Sequence, residues 1–283
     1  MQSQEKYKPS FSIEFFPPKT EEGKIKLRQT REELAQLNPA YFSVTYGAGG
    51  STQQGTLDTV LEIRQAGCNA APHLTCIGSS KQSVRELLQT YIDNDIHRIV
   101  ALRGDMPSGT HDMGELRYAN ELVEFIRAET GDHFHIEVAA YPEFHPQAKS
   151  AEADLVNFKR KVDAGANSAI TQYFYNADAY FRFVDDCERL GLDIPIVPGI
   201  MPITNYKNLA RFSDMCGAEI PRWLRKRLED FGDDAASLRA FGRQVSTQLA
   251  KDLLEQGAPG LHFYSMNQAD STQAIWRELQ LTN

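Results

Sequence analysis

Short runs of β-branched and aromatic residues recur along the chain, and segments with helical periodicity separate them. Eight such runs cover residues 11–16, 41–46, 72–76, 98–102, 135–141, 168–175, 195–199 and 261–266. Between the runs apolar residues return at helical spacing, as Leu155, Phe158 and Val162 do, which is typical of a helix with one buried face. Strands that alternate with helices pair in parallel through crossover connections, so the pattern predicts an α/β fold.

Eight strand–helix units in 283 residues favour a (β/α)8 TIM barrel. A doubly wound sheet is the alternative, but it needs a glycine-rich turn after the first strand, where this chain has Phe16-Pro17-Pro18-Lys19. The seventh interval, residues 200–260, is long enough for two or three helices, with one around 223–228 and another over 233–256. Since no linker or internal repeat divides the chain, we expect a single domain over 1–283.

Local signals refine this prediction. Ser51 and Gln54 have the spacing of a capping box, and Gly165 follows the last helical residue before a strand. The aromatic residues Phe212, Trp223 and the run 173–175 are expected in the core.

Composition narrows the function classes. Lys and Arg number 30 against 38 Asp and Glu, a net charge of −8, which argues against a nucleic-acid binder. The N-terminus is polar, and the longest uncharged stretch, 34–57, is rich in Gln, Gly, Ser and Thr, so neither a signal peptide nor a membrane span is expected. Four cysteines without a CxxC pair indicate reduced thiols. We expect a soluble, cytoplasmic protein without membrane or nucleic-acid partners.

Polar residues cluster where the predicted strands end, which is where (β/α)8 barrels have their active sites. These residues are Glu14, Thr45, Tyr46, His73, Thr75, Arg103, Gly104, Asp105, Tyr141, Glu143, His145 and Gln172. Each residue is weak evidence alone, but their shared location predicts an active site at this end.

Glu14 is flanked by apolar residues, so we expect desolvation to raise its pKa, as a general acid requires. The alternative is a barrel-interior carboxylate paired with an arginine. Asp105 could divide acid and electrostatic roles with Glu14, or cap a turn. His73 is expected to be a hydrogen-bonded core residue, and no metal site is predicted, because His133 and His135 lack a third ligand nearby.

The helical segment 154–161 places Asp154, Asn157 and Lys161 on one face with Arg160 beside them. This face is either solvated or presents donors and cations to a phosphorylated cofactor. The glycine cluster Gly47-Ala48-Gly49-Gly50 could let a flat ligand approach the backbone or bind an anion, but it lacks the spacing of a dinucleotide motif.

Nine motifs run in order along the chain over 12–18, 43–48, 72–76, 101–105, 140–146, 154–161, 170–172, 198–200 and 262–264. In these motifs the chain resembles the 5,10-methylenetetrahydrofolate reductase family in its short bacterial form. Together they are specific and span nearly the whole chain.

The resemblance implies a homo-oligomeric flavoprotein with non-covalent FAD and a ping-pong cycle. A reduced nicotinamide, more often NADH than NADPH, reduces FAD, and 5,10-methylenetetrahydrofolate then takes the hydride to give 5-methyltetrahydrofolate for methionine synthesis. Glu14 would be the general acid and Asp105 would stabilise the iminium cation. The implied folate contacts also include Gln172, Asn208, Phe212, Tyr264 and Gln268. The implied FAD contacts are Thr45, Tyr46, Ala48, His73, Arg103, Gly104, Asp105, Tyr118, Ala119, Tyr141, His145, Ala148, Asp154, Asn157, Arg160 and Lys161.

Two positions depart from the family pattern. Gln268 stands where enterobacterial members have a basic residue, and Asn208 stands where a glutamine is expected. Both should face the benzoyl-glutamate end of the folate, so we expect weaker electrostatic capture of that tail.

Three other interpretations stay open from the residues. They are a different barrel flavoenzyme such as a proline-dehydrogenase-like oxidase, a non-catalytic flavin- or folate-binding protein, and a Schiff-base aldolase. The aldolase needs a lysine near a strand end inside the barrel, whereas Lys19 and Lys149 lie outside the predicted strands. No separate dinucleotide motif indicates whether NADH or NADPH is used.

Overall fold

The computed structural model describes residues 1–46, 52–104 and 114–283. Within them, nine parallel strands form one sheet in the order β7-β6-β5-β4-β3-β2-β1-β9-β8. The strands are β1 Ser10–Phe15, β2 Phe42–Val44, β3 Ala70–Thr75, β4 Arg98–Leu102, β5 His135–Ala140, β6 Ser168–Thr171, β7 Ile196–Val197, β8 Gly199–Ile200 and β9 Gly260–Tyr264.

The sheet closes into a barrel through the two shortest strands. β7 pairs with β6, and β8 pairs with β9. Pro198 separates them because it has no N–H to donate to a ladder, although its carbonyl still accepts the His262 N–H at 3.0 Å. The segment 196–200 is therefore the single predicted seventh strand, and the (β/α)8 barrel prediction is confirmed.

Helices connect the strands around the outside. They are α1 Gln2–Glu5, α2 Glu21–Ala35, α3 Gln53–Gln65, α4 Lys81–Asp93, α5 Ala119–Thr130, α6 Ala151–Asp163, α7 Ala177–Arg189, α8 Tyr206–Cys216, α9 Arg222–Asp230, α10 Ala235–Glu255 and α11 Asp270–Glu278. The long seventh interval, which is described throughout, holds α8, α9 and α10, as its length predicts.

The short helix α1 was not predicted. It places Gln4 in a buried position, where Nε2 donates to the Ile194 carbonyl at 3.3 Å and Oε1 accepts the Ile196 N–H at 2.8 Å. Because this segment is polar and has a single buried residue, Gln4, it shows no hydrophobic periodicity from which a helix packed at the amino end of the barrel could be predicted.

Three local predictions need correction. Helix α3 is capped by Thr52, whose hydroxyl accepts the Gly55 N–H at 3.0 Å; the predicted cap Ser51 lies outside the described residues. The strand predicted over 168–175 ends at Thr171, although the aromatic run after it is buried as expected. Trp223 is 58% exposed because the inner face of α9 is formed by Leu224 and Leu228 instead.

Apolar residues fill two layers. The larger layer lies between strands and helices, where Phe15 stacks on Phe42 with ring centroids 5.0 Å apart. A small inner cluster of Tyr41, Ala71, Val100 and Ile170 lies inside the barrel. The rest of the interior is unusually polar, and its polar side chains form the candidate site.

Candidate active site

Glu14 lies at the carboxyl end of the barrel, on the inward face of β1. Its Cα is paired with Ser43 on β2 and with Tyr264 on β9. The carboxylate stands between two imidazoles: Oε2 is 3.3 Å from His73 Nε2 and 3.6 Å from His262 Nε2. Both nitrogens are buried, and neither is aligned for a hydrogen bond with a described residue. One acidic and two basic groups thus share a single enclosed volume.

The expectation of a raised Glu14 pKa is wrong. Burial raises the pKa of Glu14, but His262 and His73 together lower it by more, so that the net pKa is about 2. The apolar neighbours Ile13 and Phe15 belong to the outer layer, because adjacent residues of a strand point to opposite faces. The alternative of an arginine partner is also wrong, since the partners are histidines. With a pKa this low, Glu14 is an ionised carboxylate at neutral pH.

The backbone around Glu14 is fixed by the loop that follows β9. Ser265 Oγ donates to the Glu14 carbonyl at 2.6 Å. The Asn267 side chain accepts from the Phe16 N–H at 3.0 Å and donates to the Phe16 carbonyl at 2.9 Å. Met266 and Asn267 both have positive φ, 53° and 54°, a conformation that costs energy and concentrates at functional sites. The sequence pointed to this loop only through Gln268, and not through Ser265 or Asn267.

The predicted charged helix face is turned toward the barrel rim. On α6, Asp154 Oδ2 accepts the His145 N–H at 2.8 Å, and the Lys161 ammonium donates to the Ala139 carbonyl on β5. Burial lowers the pKa of Lys161 to about 8. Asn157 and Arg160 are exposed and joined by a 3.0 Å hydrogen bond. This helix face is therefore only partly exposed to solvent.

The loops after β4 and β5 meet beside this face. The Arg103 guanidinium donates to the Gly104 carbonyl and to the Gln147 side chain. Gly104 has φ of 85°, and a Cβ there would lie 2.9 Å from Thr75 Cβ, so only glycine fits. Tyr141 packs edge-on against His145, with centroids 4.6 Å apart.

A buried hydroxyl faces the same end. Thr45 Oγ1 has no hydrogen-bond partner among the described residues, although buried polar atoms are paired in most folded proteins. Together with the cations of Arg103, Arg160 and Lys161, this orphaned hydroxyl marks a surface that can receive a polar, phosphorylated ligand.

The remaining predicted residues lie around this end with mostly local contacts. Gln172 follows β6 and accepts the Tyr173 N–H on its own side chain at 3.0 Å, and the Tyr264 hydroxyl donates to the Thr171 carbonyl at 2.7 Å. Six further positions lie at the periphery. Tyr46 and Phe212 are half-buried, the latter beneath Arg211, whereas Asn208, Gln268 and Tyr118, which precedes Ala119 of α5, are exposed. The Ala148 N–H donates to the His145 carbonyl. Asp105, Ala48 and the glycine cluster lie outside the described residues.

Sequence reasoning missed a second polar group deeper in the barrel. The Glu137 carboxylate is 2% exposed and accepts from Arg98 at 2.7 Å, from Tyr41 at 2.7 and 2.9 Å and from Ser168 at 3.2 Å. Above it, Ser12 Oγ is 2.7 Å from His262 Nδ1. The signal was available, because these residues occupy alternate, inward positions of predicted strands.

Comparison with known proteins now assigns the chain. Residues 1–280 match the family profile described as methylenetetrahydrofolate reductase. The chain belongs to the methylenetetrahydrofolate reductase family. The 5,10-methylenetetrahydrofolate reductase of Escherichia coli is 43% identical over 271 residues, which are 95% of this chain and 90% of that protein. Methylenetetrahydrofolate reductase (NADH) 1 of Arabidopsis thaliana is 38% identical, over 96% of this chain and 48% of that longer protein.

Solved structures agree on the fold. A Clostridium thermocellum protein described as binding two copies of 5-methyl-5,6,7,8-tetrahydrofolic acid superposes with a TM-score of 0.71 at 18% identity, covering 99% of this chain and 97% of that one. An oxaloacetate acetylhydrolase superposes with a TM-score of 0.55 at 10% identity, covering 96% and 80%. In the described part of the chain, no helix combines the length and apolar character of a membrane span.

Proposed function

We propose that this protein reduces 5,10-methylenetetrahydrofolate to 5-methyltetrahydrofolate, using FAD as its bound cofactor and a reduced nicotinamide as electron donor. The observation that carries the proposal is Glu14, a buried carboxylate between two imidazoles at the carboxyl end of the barrel, in a chain of this family. A proton-bearing group in an enclosed site is what the opening of a folate imidazolidine ring requires.

Residues of the rim support FAD as the cofactor. Thr45 Oγ1 offers a buried hydroxyl without a partner among the described residues. Arg103, Arg160 and Lys161 bring positive charge for a pyrophosphate. The proposed contacts also include Tyr46, Ala48, His73, Asp105, Tyr118, Ala119, Tyr141, His145, Ala148, Asp154 and Asn157. FAD, when bound and reduced, supplies the hydride that the methylene carbon of the folate accepts.

The chain's own residues manage the proton and the pterin. Glu14 would deliver a proton to N10 of the substrate as the bond between the methylene carbon and N10 breaks, with that electron pair going to N10 and a cationic iminium forming at N5. Asp105 is proposed to stabilise this cation, and Gln172, Phe212 and Tyr264 to orient the pterin. Because its pKa is lowered to about 2, Glu14 is ionised at neutral pH. The proton that it delivers to N10 must therefore come from a neighbouring group.

NADH is the proposed donor, since the plant relatives from Arabidopsis thaliana and Zea mays are named as NADH enzymes. The donor and the folate would use the same cleft in turn, in a ping-pong cycle, and the product would supply methyl groups for methionine synthesis. Neutral Gln268 and Asn208 are proposed to face the folate tail, which would then be captured less strongly by charge.

Anaerobic absorbance spectroscopy tests the proposal in two steps. The purified protein should show a flavin spectrum, NADH should bleach it, and 5,10-methylenetetrahydrofolate should restore it with formation of 5-methyltetrahydrofolate. In Glu14→Gln we expect bleaching by NADH to persist while reoxidation slows roughly 10²- to 10⁴-fold, the range of a lost general acid.

Each result is decisive. A protein that purifies without flavin and does not bind added FAD contradicts the cofactor assignment. Bleaching by NADH without reoxidation by the folate would favour another barrel flavoenzyme. Full turnover in Glu14→Gln would remove Glu14 from the acid role.

A further inference from the structure

The loop after β5 and the end of α8 are joined by a side chain that belongs to neither the proposed flavin contacts nor the proposed folate contacts. We propose that Glu143 is a positioning residue, whose carboxylate ties the flavin side of the site to the helix that carries Asn208 and Phe212. The consequence for folate binding rests on the proposed function, whereas the joint itself can be measured in the FAD-free protein.

The joint is a hydrogen bond between a side chain and the main chain. Glu143 lies in the loop that follows β5, and its Oε2 accepts the Glu219 N–H at 2.8 Å. Glu219 comes three residues after Cys216, the last residue of α8. Because the donor is a main-chain group, the bond depends on the side chain at position 143 alone.

The same two segments are also closely packed. Gly217 ends α8 with φ of 75°, and a Cβ at this glycine would lie 2.8 Å from Pro146 Cγ. The loop after β6 adds a contact, because the Tyr173 hydroxyl is 3.0 Å from Ser213 Oγ in the last turn of the helix. The first turn of α8 is bonded to α9 instead. The carboxyl end of α8 is therefore the end that is attached to the barrel rim.

The carboxylate is held there at a cost to the fold. Its other oxygen, Oε1, is buried without a partner among the described residues, and burial raises the pKa of Glu143. The next residue, Phe144, has φ of 135° although its side chain is 53% exposed, so burial of the ring does not offset the strain. Partly desolvated carboxylates and strained backbone are both features that concentrate at functional positions.

Phe144 separates two attachments of this loop. Before it, Glu143 is bonded to the segment that follows α8. After it, the His145 N–H is bonded to Asp154 Oδ2 of α6 at 2.8 Å, and the His145 ring packs against Tyr141 with centroids 4.6 Å apart. Tyr141, His145 and Asp154 are proposed FAD contacts. A cofactor that fixes them also fixes the residue between them, and through it the end of α8.

This coupling has a defined consequence for the folate. Asn208 and Phe212 are four residues apart on α8, so they lie on one face of the helix. When FAD has already restrained α8, ordering these side chains around the folate costs less conformational entropy. Glu14 belongs to β1 and is fixed by the loop after β9, so the proton transfer does not depend on the joint. Glu143 should therefore affect how tightly the folate binds and not how fast the bound folate reacts.

Hydrogen exchange tests the joint without a turnover assay, because the exchange rate of an amide reports how often its segment opens. In Glu143→Met, peptides covering 206–220 should exchange roughly 2- to 12-fold faster than in the wild-type protein, the effect of one lost hydrogen bond. Addition of FAD should slow these peptides in the wild-type protein but not in the variant. Peptides of α6 should slow in both.

Two matched variants isolate the bond. Glu143→Gln keeps an acceptor oxygen, and Glu219→Ala removes the neighbouring carboxylate but keeps the N–H donor, so both should exchange like the wild-type protein. Peptides of α10 should exchange equally in all four proteins. Equal exchange over 206–220 in the wild-type protein and Glu143→Met would overturn the inference. So would faster exchange of α10 in Glu143→Met, which would mean a general loss of stability, or a Glu219→Ala variant that exchanges as fast as Glu143→Met.

The half-reactions test the consequence. In Glu143→Met, the folate concentration that gives half-maximal flavin reoxidation should rise roughly 2- to 12-fold. The rates at saturating folate and at saturating NADH should be unchanged, and Glu143→Gln should restore the wild-type value. An unchanged half-maximal concentration, or a fall in the saturating rate alone, would refute the positioning role. If the wild-type protein does not bind FAD or reduce the folate, the proposed function fails, while exchange in the FAD-free protein still decides whether Glu143 holds α8.

Discussion

The two ends of the barrel interior treat buried polar groups in opposite ways. At the amino end, Glu137 accepts from Arg98, Tyr41 and Ser168, so its charge is matched from several sides. At the carboxyl end, four buried atoms lack an aligned partner among the described residues: Ser43 Oγ, Thr45 Oγ1, His73 Nε2 and His262 Nε2. Buried polar atoms are normally paired. The difference shows that the chain itself pairs the polar groups at the amino end, whereas at the carboxyl end these four atoms have no partner among the described residues.

The comparison also separates two uses of a carboxylate. Glu137 is fixed by a guanidinium, a group that stays charged. Glu14 is flanked by the imidazoles of His73 and His262, groups that can either donate or accept a proton. The first carboxylate suits structure, and the second suits proton transfer.

Breaking the amino-end network should give the largest change in stability. In Arg98→Met, Glu137 keeps its burial but loses its cation, and an uncompensated buried charge costs about 3–5 kcal/mol of unfolding free energy. Urea denaturation of the wild-type protein and the variant measures this loss.

The double variant Arg98→Met with Glu137→Leu is the control. Removing both charges takes away the desolvation cost together with the pair, so most of the stability should return. If the single and double variants are equally destabilised, the loss comes from packing rather than from the charge, and the contrast between the two ends weakens.

Two threonines sharpen the comparison at the carboxyl end. Thr45 Oγ1 is unpaired, whereas Thr171 Oγ1 accepts the Gly199 N–H at 2.9 Å. Thr171→Val should cost about 1–3 kcal/mol because it leaves a buried N–H without a partner. Thr45→Val should leave the free energy of unfolding of the FAD-free protein unchanged or raise it slightly, since it removes an unpaired hydroxyl. Thermal or urea unfolding of both variants checks the opposite signs.

The same pair tests the cofactor contact. Loss of one hydrogen bond to FAD, about 0.5–1.5 kcal/mol, should weaken its binding roughly 2- to 12-fold in Thr45→Val. Titration of the FAD-free protein with FAD, followed by fluorescence, measures the affinity. Equal affinities of wild type and Thr45→Val would show that this hydroxyl has no role in holding FAD.

The sequence was informative where the physical rule is periodic. Strand runs alternating with helices predicted the barrel, and the location of polar residues at strand ends predicted Glu14 and its surroundings. The predicted end of β6 was wrong by four residues, because aromatic residues such as Tyr173 occur both in strands and in buried loops. The predicted cap of α3 was wrong by one residue, because Ser51 and Thr52 are both good capping residues.

The electrostatics could not be predicted from neighbours in the chain. The environment of Glu14 consists of His73 and His262, which lie 59 and 248 residues away in the sequence, while its immediate neighbours Ile13 and Phe15 face the other side of the sheet. A pKa depends on what surrounds the group in space, so its direction followed only from the fold. The network of Glu137 is different, because its residues occupy alternate positions of predicted strands that could have marked them as inward-facing.

Lys161 is an intermediate case between the fully paired Glu137 and the unpaired Thr45 hydroxyl. Its ammonium has one described acceptor, the Ala139 carbonyl, for three N–H groups, and burial lowers its pKa from 10.5 to about 8. Between pH 8 and 10.5 the unfolded chain therefore binds more protons at this site than the folded protein. The cost of burying the charge is full below pH 8 and disappears as the pH rises toward 10.5, with a slope of at most about 1.4 kcal/mol per pH unit.

Relative to Lys161→Met, the wild-type protein should accordingly gain unfolding free energy across this range, because the other lysines and tyrosines cancel in the difference. Urea denaturation at several pH values between 7 and 10.5 measures it. Lys161→Gln keeps an N–H donor but has no charge, so its offset from Lys161→Met should be independent of pH. If the difference in unfolding free energy between the wild-type protein and Lys161→Met stays constant with pH, the folded protein solvates this ammonium as well as water does. Lys161 of α6 would then be a fully solvated cation, and not a partly desolvated one, when a phosphate binds.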